Sequence, residues 1–287
     1  MTDGENMQLR DWVGRTEQRD DAVTATPYAA LSATLDRDPT FPLNGTALPA
    51  LWHWLYFLPL HRRSVLGADG HAKHGGLLPP SPLPRRMWAG SQVQFHHPIM
   101  IGDELRRLST IERIEHKSGH TGELVFVNVR HQFYANGSTT CALTEIQNVV
   151  YRRAASSTDT LSQPRPAPPV CAWKRTWTPD EVLLFRYSAL TFNNHRIHYD
   201  RRYATEVEGY PGLVVHGPLI ATLLLDLLRS KRPDAFVTRF DFRAVRPLFD
   251  LHSFDVCGEP VADGNLIRLW AKDQEGWLAM EATAEIQ

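Results

Sequence analysis

The chain has 287 residues, a formal net charge of -1 and 43% hydrophobic residues. That is enough apolar material for one large domain or two ordinary ones, and no basic run marks it as a nucleic-acid binder. Met1–Asp21 is polar, without an apolar leader core, and the longest apolar run, Leu213–Leu228, is interrupted by His216, Gly217, Pro218 and Asp226. A soluble cytoplasmic protein with no membrane partner is expected.

In chain order, Ala47–Leu58 carries LWHWLYFL and reads as a helix. The insertion Pro59–Pro84, rich in Gly, Pro and His, reads as a long loop of the kind that borders ligand sites. Strand-like alternation follows at Trp88–His96, Leu105–Glu115, Leu124–Tyr134 and Thr139–Arg152, with turns at His120–Gly122 and Asn136-Gly137. Leu161–Val170 holds four prolines in ten residues and reads as an extended linker. It divides the chain into residues 1–155, 156–172 and 173–287.

The second half repeats the order. A helical stretch opens at Thr178, Gly217-Pro218 opens the apolar helix Leu219–Leu228, and strands are expected at Phe236–Ala244, His252–Val261, Leu266–Lys272 and Trp277–Ile286. Short matches, such as Tyr28-Ala29-Ala30-Leu31 with Tyr187-Ser188-Ala189-Leu190, support a duplication. Helix followed by antiparallel strands, twice, indicates α+β. Leu219–Leu228 is apolar nearly all round, so it must be buried, wrapped by the sheet.

Cys141, Cys171 and Cys257 are odd in number and form no CxxC pair, so they read as reduced thiols. His96-His97 and His71 with His74 lack the acidic or cysteine partners of a metal site, and neither metal nor cofactor is expected.

The chemistry concentrates in Tyr187–Tyr203, YSALTFNNHRIHYDRRY. Adding water to an enoyl thioester needs a base for the water, a proton for the α-carbon and a donor for the thioester oxygen. His198 can give and take protons near neutral pH. Asn193 can orient water, with His195 in reserve as base. Gly217 opens the apolar helix and can offer its N–H to an oxyanion, with Pro218 suited to the first helical position. Tyr199, His216, Arg196, Arg201 and Arg202, with Arg85 and Arg86 of the first half, are candidates for CoA phosphates or a substrate carboxylate. The arginines fit a solvated face equally well. Asp200 can cap the helix containing Tyr203.

This segment resembles the MaoC-like (R)-specific enoyl-CoA hydratases, whose signature is Asp-x-Asn-Pro-x-His-x-Asp with a downstream His-Gly pair. His198, Asp200, Tyr203-Ala204 and His216-Gly217 match. Asn193 stands where the catalytic Asp belongs, His195 where Asn belongs and Arg196 where Pro belongs. FNNHRIHYD is similar to the type 2 3-hydroxyacyl-thioester dehydratases and to double-hotdog hydratases acting on mesaconyl-C4-CoA and itaconyl-CoA. Pro82–Gly90, PLPRRMWAG, with Phe95 and Pro98, resembles their N-terminal half.

The resemblance implies a double hotdog, two antiparallel sheets each wrapping a central helix. It implies one active site, in the second half, because the matching stretch Ala33–Asp38 has no histidine. The implied activity is hydration of an acyl-CoA, with a methyl-branched C5 dicarboxylic ester (itaconyl-CoA or mesaconyl-C4-CoA, giving citramalyl-CoA) favoured by the arginines near the motif. The alternatives are a 3-hydroxyacyl-thioester dehydratase of fatty-acid synthesis, a thioesterase and a non-catalytic acyl-CoA-binding subunit. Whether the chain pairs as a homodimer stays open in the sequence.

Overall fold

The computed structural model describes residues 9, 11–38, 41–73, 76–80, 83, 85–119, 122–153, 163–261 and 264–287. In the first half β1 (Thr16–Ala22) and α1 (Ala25–Thr34) precede β2 (Arg85–Phe95), β3 (Glu104–Gly119), β4 (Gly122–Ala135) and β5 (Cys141–Arg152). The second half has β6 (Trp173–Trp177), α2 (Glu181–Leu190) and α3 (Gly217–Lys231), then β7 (Val237–Ala244), β8 (Phe254–Val261), β9 (Leu266–Lys272) and β10 (Leu278–Ile286).

All ten strands form one antiparallel sheet in the order β1-β3-β4-β5-β2-β7-β10-β9-β8-β6. With β1–β5 set against β6–β10 in sequence order, this is a palindrome about the β2–β7 junction, as a duplicated unit joined edge to edge requires. The junction runs from Gly90 opposite Arg243 to Gln94 opposite Arg239. Gly90 is needed there, because a Cβ would lie 2.2 Å from the Phe242 carbonyl oxygen. The eight strands expected from alternation are present. The edge strands β1 and β6 escaped that reading because TEQRDDA and WKRTW bury no residue fully and carry charges, as edge strands do.

The two halves differ at the centre. In the second, α3 buries every residue from Leu219 to Leu228 against Phe240, Val256, Ile267 and Leu269. Truncating Leu224, which is 0% exposed, to alanine would cost about 2–5 kcal/mol. In the first half, the helix expected over Ala47–Leu58 is a single 3-10 turn, Trp52–Leu55. Two of its rings, His53 and Trp54, are held by a buried carboxylate. Glu145, 1% exposed, accepts from His53 Nε2 and Trp54 Nε1, both at 3.1 Å, and from Ser91 Oγ at 2.9 Å.

α1 and α2 are both ten residues long, and each is followed by a left-handed residue, Asp36 (φ 58°) and Phe192 (φ 48°). The repeat therefore aligns Asn193 with Arg37, not with Ala33, and Tyr28 with Leu184 rather than Tyr187. The corrected stretch, Arg37–Pro42, also has no histidine. Arg37 pairs with the buried Asp226 of α3, as do Arg175 and Arg229, each at 3.0 Å.

Linker residues 165–168 cross the sheet face opposite α3, where Pro166 bridges to Trp277. Beneath them lies a cavity of about 1050 Å³, and a second of about 320 Å³ sits beside the C-terminal half of α3. The linker's start, 154–162, lies outside the described residues, as do His74 and His120. Cys171 and Cys257, distant in sequence, share a small apolar cluster as free thiols. Among the described residues no helix is long and apolar enough to cross a membrane.

Candidate active site

The motif is a tightly bonded turn between α2 and the start of α3. Asp180 caps α2 by accepting from Leu183 N at 2.7 Å. At the other end Thr191 Oγ1 donates to the Tyr187 carbonyl at 2.8 Å, and Phe192 turns the chain in the left-handed region. Asn193 Oδ1 then accepts the His195 N–H at 3.0 Å, an Asx turn. That oxygen is committed to shaping the backbone, so any water-orienting role falls to the Asn193 amide nitrogen. One 3-10 turn, Arg196–His198, follows. Asp200 accepts from Tyr203 N at 3.0 Å and so caps the next helical segment.

His198 is 8% exposed, and its Nδ1–H donates to the Val214 carbonyl at 2.7 Å. That bond leaves Nε2 as an unprotonated acceptor. The ring stacks on His216, with centroids 3.7 Å apart and planes at 19°. His216 is fully buried; its Nε2 bonds Ser188 Oγ at 2.8 Å, while its Nδ1 has no partner among the described residues. His195 lies edge-on to His198, 5.5 Å between centroids, and 4.3 Å from His71.

Burial drives all four imidazoles toward neutrality. It lowers His198 to about 4, against a smaller raising effect of the Val214 bond. His195 falls to about 2 through burial, then through His71 and His198. His216 is pushed well below its ordinary value by burial and its two histidine neighbours. His71 is lowered by burial, with Asp69 opposing.

His71 and Asp69 come from the insertion of the first half, docked on the motif. Arg196 N–H donates to the Asp69 carbonyl at 2.9 Å and Arg196 Nη1 to the Ala68 carbonyl at 2.9 Å. Asp69 Oδ2 accepts from His71 Nδ1 at 2.9 Å. The expectation that His71 lacks an acidic partner is thus corrected by Asp69, two residues before it, and Asp69, His71 and His195 each offer one donor atom within 4.8 Å of the others. The loop's Gly and His content was the sequence signal; the pairing with the motif was not visible there.

Gly217 is the first residue of α3, so its N–H belongs to the unpaired donors of a helix start. A Cβ on Gly217 would meet nothing within 4 Å, so there is open space beside this amide.

The arginines divide sharply. Arg196 pairs with Asp200 at 2.7 Å and lies 4.2 Å over the Tyr203 ring. Arg201 bonds both Glu181 and Asp250, and Arg202 pairs with Glu206 at 2.8 Å, its side chain 84% exposed. Arg85 pairs with Glu208 at 2.7 Å. Their charges are locally compensated, which removes the support that arginine number alone lent to a carboxylate site. Tyr199 is exposed and donates to the Asn194 carbonyl at 3.1 Å. Arg86 differs. Among the described residues it has no carboxylate partner, it lies beside Tyr151, and its charge bears on Tyr151, His71 and His195.

Residues 51–250 match the model of the family hydroxyacyl-thioester dehydratase type 2. The chain is 46% identical over 280 residues to the mesaconyl-C(4)-CoA hydratase of Chloroflexus aurantiacus, covering 96% of each. It is 28% identical over 268 residues to the mitochondrial hydroxyacyl-thioester dehydratase type 2 of Schizosaccharomyces pombe, covering 83% of this chain and 88% of the relative. In fold it is similar to a MaoC-like dehydratase (TM-score 0.71, 15% identity, 97% and 99% of the two chains). It is likewise similar to HtdX of Mycobacterium tuberculosis (TM-score 0.66, 17% identity, 94% and 99%). Both likenesses agree with the palindromic double hotdog. The chain belongs to the hydroxyacyl-thioester dehydratase type 2 family.

Proposed function

We propose that this chain, a hydro-lyase of acyl thioesters, hydrates a methyl-branched C5 dicarboxylic CoA ester, with mesaconyl-C4-CoA the first choice over itaconyl-CoA and citramalyl-CoA the product. The observation that carries the reading is the 46% identity to a mesaconyl-C(4)-CoA hydratase along 96% of both chains. Arg86 supports it from the geometry. In mesaconyl-C4-CoA the free carboxylate is bonded to the carbon that water attacks. A guanidinium with no carboxylate partner among the described residues, beside Tyr151 and the histidines, can hold that carboxylate, and with it the reacting carbon.

In this reading His198 presents its unprotonated Nε2 to the attacking water, and the Gly217 N–H receives charge on the thioester oxygen as the enolate forms. Burial, helped by the nearby His71, keeps His198 neutral. Asn193 shapes the turn. The first half contributes the loop and Arg86, the second half the motif, and a CoA ester as substrate fits a cytoplasmic protein.

The test is an absorbance assay of enoyl-thioester loss on a panel of branched diacid and linear enoyl-CoAs. Highest kcat/KM on a C5 diacid ester is expected. Highest kcat/KM on longer linear chains would favour the second reading, a fatty-acid 3-hydroxyacyl-thioester dehydratase, which the family match and the yeast relative favour. Release of free CoA thiol would indicate a thioesterase. Tight binding without any absorbance change would indicate a non-catalytic acyl-CoA binder.

A further inference from the structure

The motif lacks acid–base chemistry at position 193, where Asn193 holds the His195 N–H. Beside His195 stands a carboxylate–imidazole pair from the other half of the chain, Asp69 and His71. It is built rather than incidental. Asp69 also accepts the His71 N–H through Oδ1 at 3.0 Å, and the Gly67 N–H to His71 carbonyl bond, 2.6 Å, closes the loop around it. Two Arg196 bonds fasten that loop to the motif.

We propose that His71, positioned by Asp69, is the second acid–base group of the site, doing from the first half what a carboxylate at 193 would do. The proposal rests on the hydro-lyase reading. As the C–O bond forms at the β-carbon, one water proton passes to His71 Nε2 and the π pair moves toward the α-carbon and the thioester oxygen. The imidazolium, paired with the Asp69 carboxylate, then returns its proton to the α-carbon. Both hydrogens and the oxygen of water end on the product, and His71 is neutral again. His198 Nε2 accepts the other water hydrogen as a hydrogen bond and aims the attack.

The assignment of the proton to His71 follows from partners. Among the described residues His71 alone of the four rings is bonded to a carboxylate. Burial works to raise Asp69, but its bonds from His71 and the nearby imidazoles outweigh it and hold it at about 2, so it is ionised throughout the working range. The groups facing His71 are Asp69, His195, His198 and Arg86. Arg86 also argues against a divalent cation among Asp69, His71 and His195, since its charge bears on that space and Asp69 already occupies His71 Nδ1.

The experiment compares wild type, His71→Gln and Asp69→Asn in the enoyl-CoA assay across pH, with thermal unfolding and the affinity for a saturated acyl-CoA measured alongside. His71→Gln is expected to lose roughly 10²–10⁴ in kcat while binding the saturated thioester within about threefold of wild type. Asp69→Asn, the shape-conserving variant, is expected to lose less kcat. Its acid limb should move to lower pH, because the carboxylate that favours the imidazolium is gone. A folded His71→Gln with wild-type kcat overturns this proposal alone. Loss of wild-type activity on chelation, restored by zinc, also overturns it, since the trio would then hold a metal. A wild type inert toward the whole panel overturns the hydro-lyase reading and this proposal with it.

Discussion

Gly70 is a point where the fold constrains the chemistry. Its φ is +93°, and a Cβ there would lie 1.8 Å from the Asn194 carbonyl oxygen. In Gly70→Ala the left-handed backbone alone costs about 1–2 kcal/mol. The clash is with main chain, so the loop must retreat by roughly 1.5 Å to regain van der Waals contact. It then gives up the Arg196 bonds to Ala68 and Asp69, each worth about 1 kcal/mol net. None of residues 59–73 belongs to the main core cluster, so detachment spares the sheet and α3. The expected fall in thermal midpoint is below about 8 °C. Catalysis should suffer more, because about 1 Å of misplacement can cost 10²-fold in rate. The assay is enoyl-thioester absorbance at saturating substrate, at a temperature where unfolding shows the variant intact. Gly76, with φ +75° and open space around it, is the control, since its alanine variant carries the φ penalty without the clash. A folded Gly70→Ala with wild-type kcat would refute the reasoning, as would an equal loss in Gly76→Ala.

His198→Gln is expected to lower kcat by roughly 10²–10⁴ with a near-native melt, checked by the same assay and by calorimetry. Arg86→Gln should lower kcat/KM roughly 10- to 100-fold on a C5 diacid ester and leave a linear monoacid ester nearly untouched, measured as a specificity ratio. Stability should fall on acidification. His198 titrates near 6.5 unfolded and about 4 folded, so its contribution is complete above 6.5 and is lost as pH falls toward 4. That loss is about 3 kcal/mol, and His195 and His216 act in the same sense. Urea unfolding at pH 7 and pH 4.5 measures it, and a His198→Gln variant with an unchanged pH dependence would contradict the assignment.

The strands were legible because half-buried strands alternate, and the duplication because both halves alternate in the same order; that the two sheets join at β2 and β7 into one was not. The edge strands were hidden because β1 has no apolar face and β6 is only five residues long with charges between its two tryptophans. The central helix of the first half was over-read because LWHWLYFL has the composition of a buried helix. His53 and Trp54 are instead bonded to Glu145 and Tyr56 to the Thr24 carbonyl, by bonds that no periodicity encodes. At the candidate site, His198, His195 and Gly217 could be named from the sequence because they lie a short distance apart in it. The Val214 carbonyl, which fixes the His198 tautomer, and Ser188, which bonds His216, act through backbone geometry or a common residue type and carry no sequence flag. Asp69 and His71 lie more than a hundred residues before the motif. Their contact with His195 exists only because β2 and β7 join the halves edge to edge, leaving the loop before β2 beside the motif.

That dependence suggests how Asn193 and the loop are related. Asn193 serves the turn through Oδ1, a bond that an aspartate oxygen would make equally well. The turn therefore does not forbid a carboxylate at 193. If Asp69 and His71 supply the acid–base group, a carboxylate at 193 is redundant in the wild type and useful only when the pair is broken. Asn193→Asp should then change wild-type kcat little, yet raise the kcat of His71→Gln by tenfold or more. Two groups sharing one task are non-additive in this way, whereas independent groups add. A double variant no faster than His71→Gln, in protein that melts normally, would show that position 193 and the loop do not share a role.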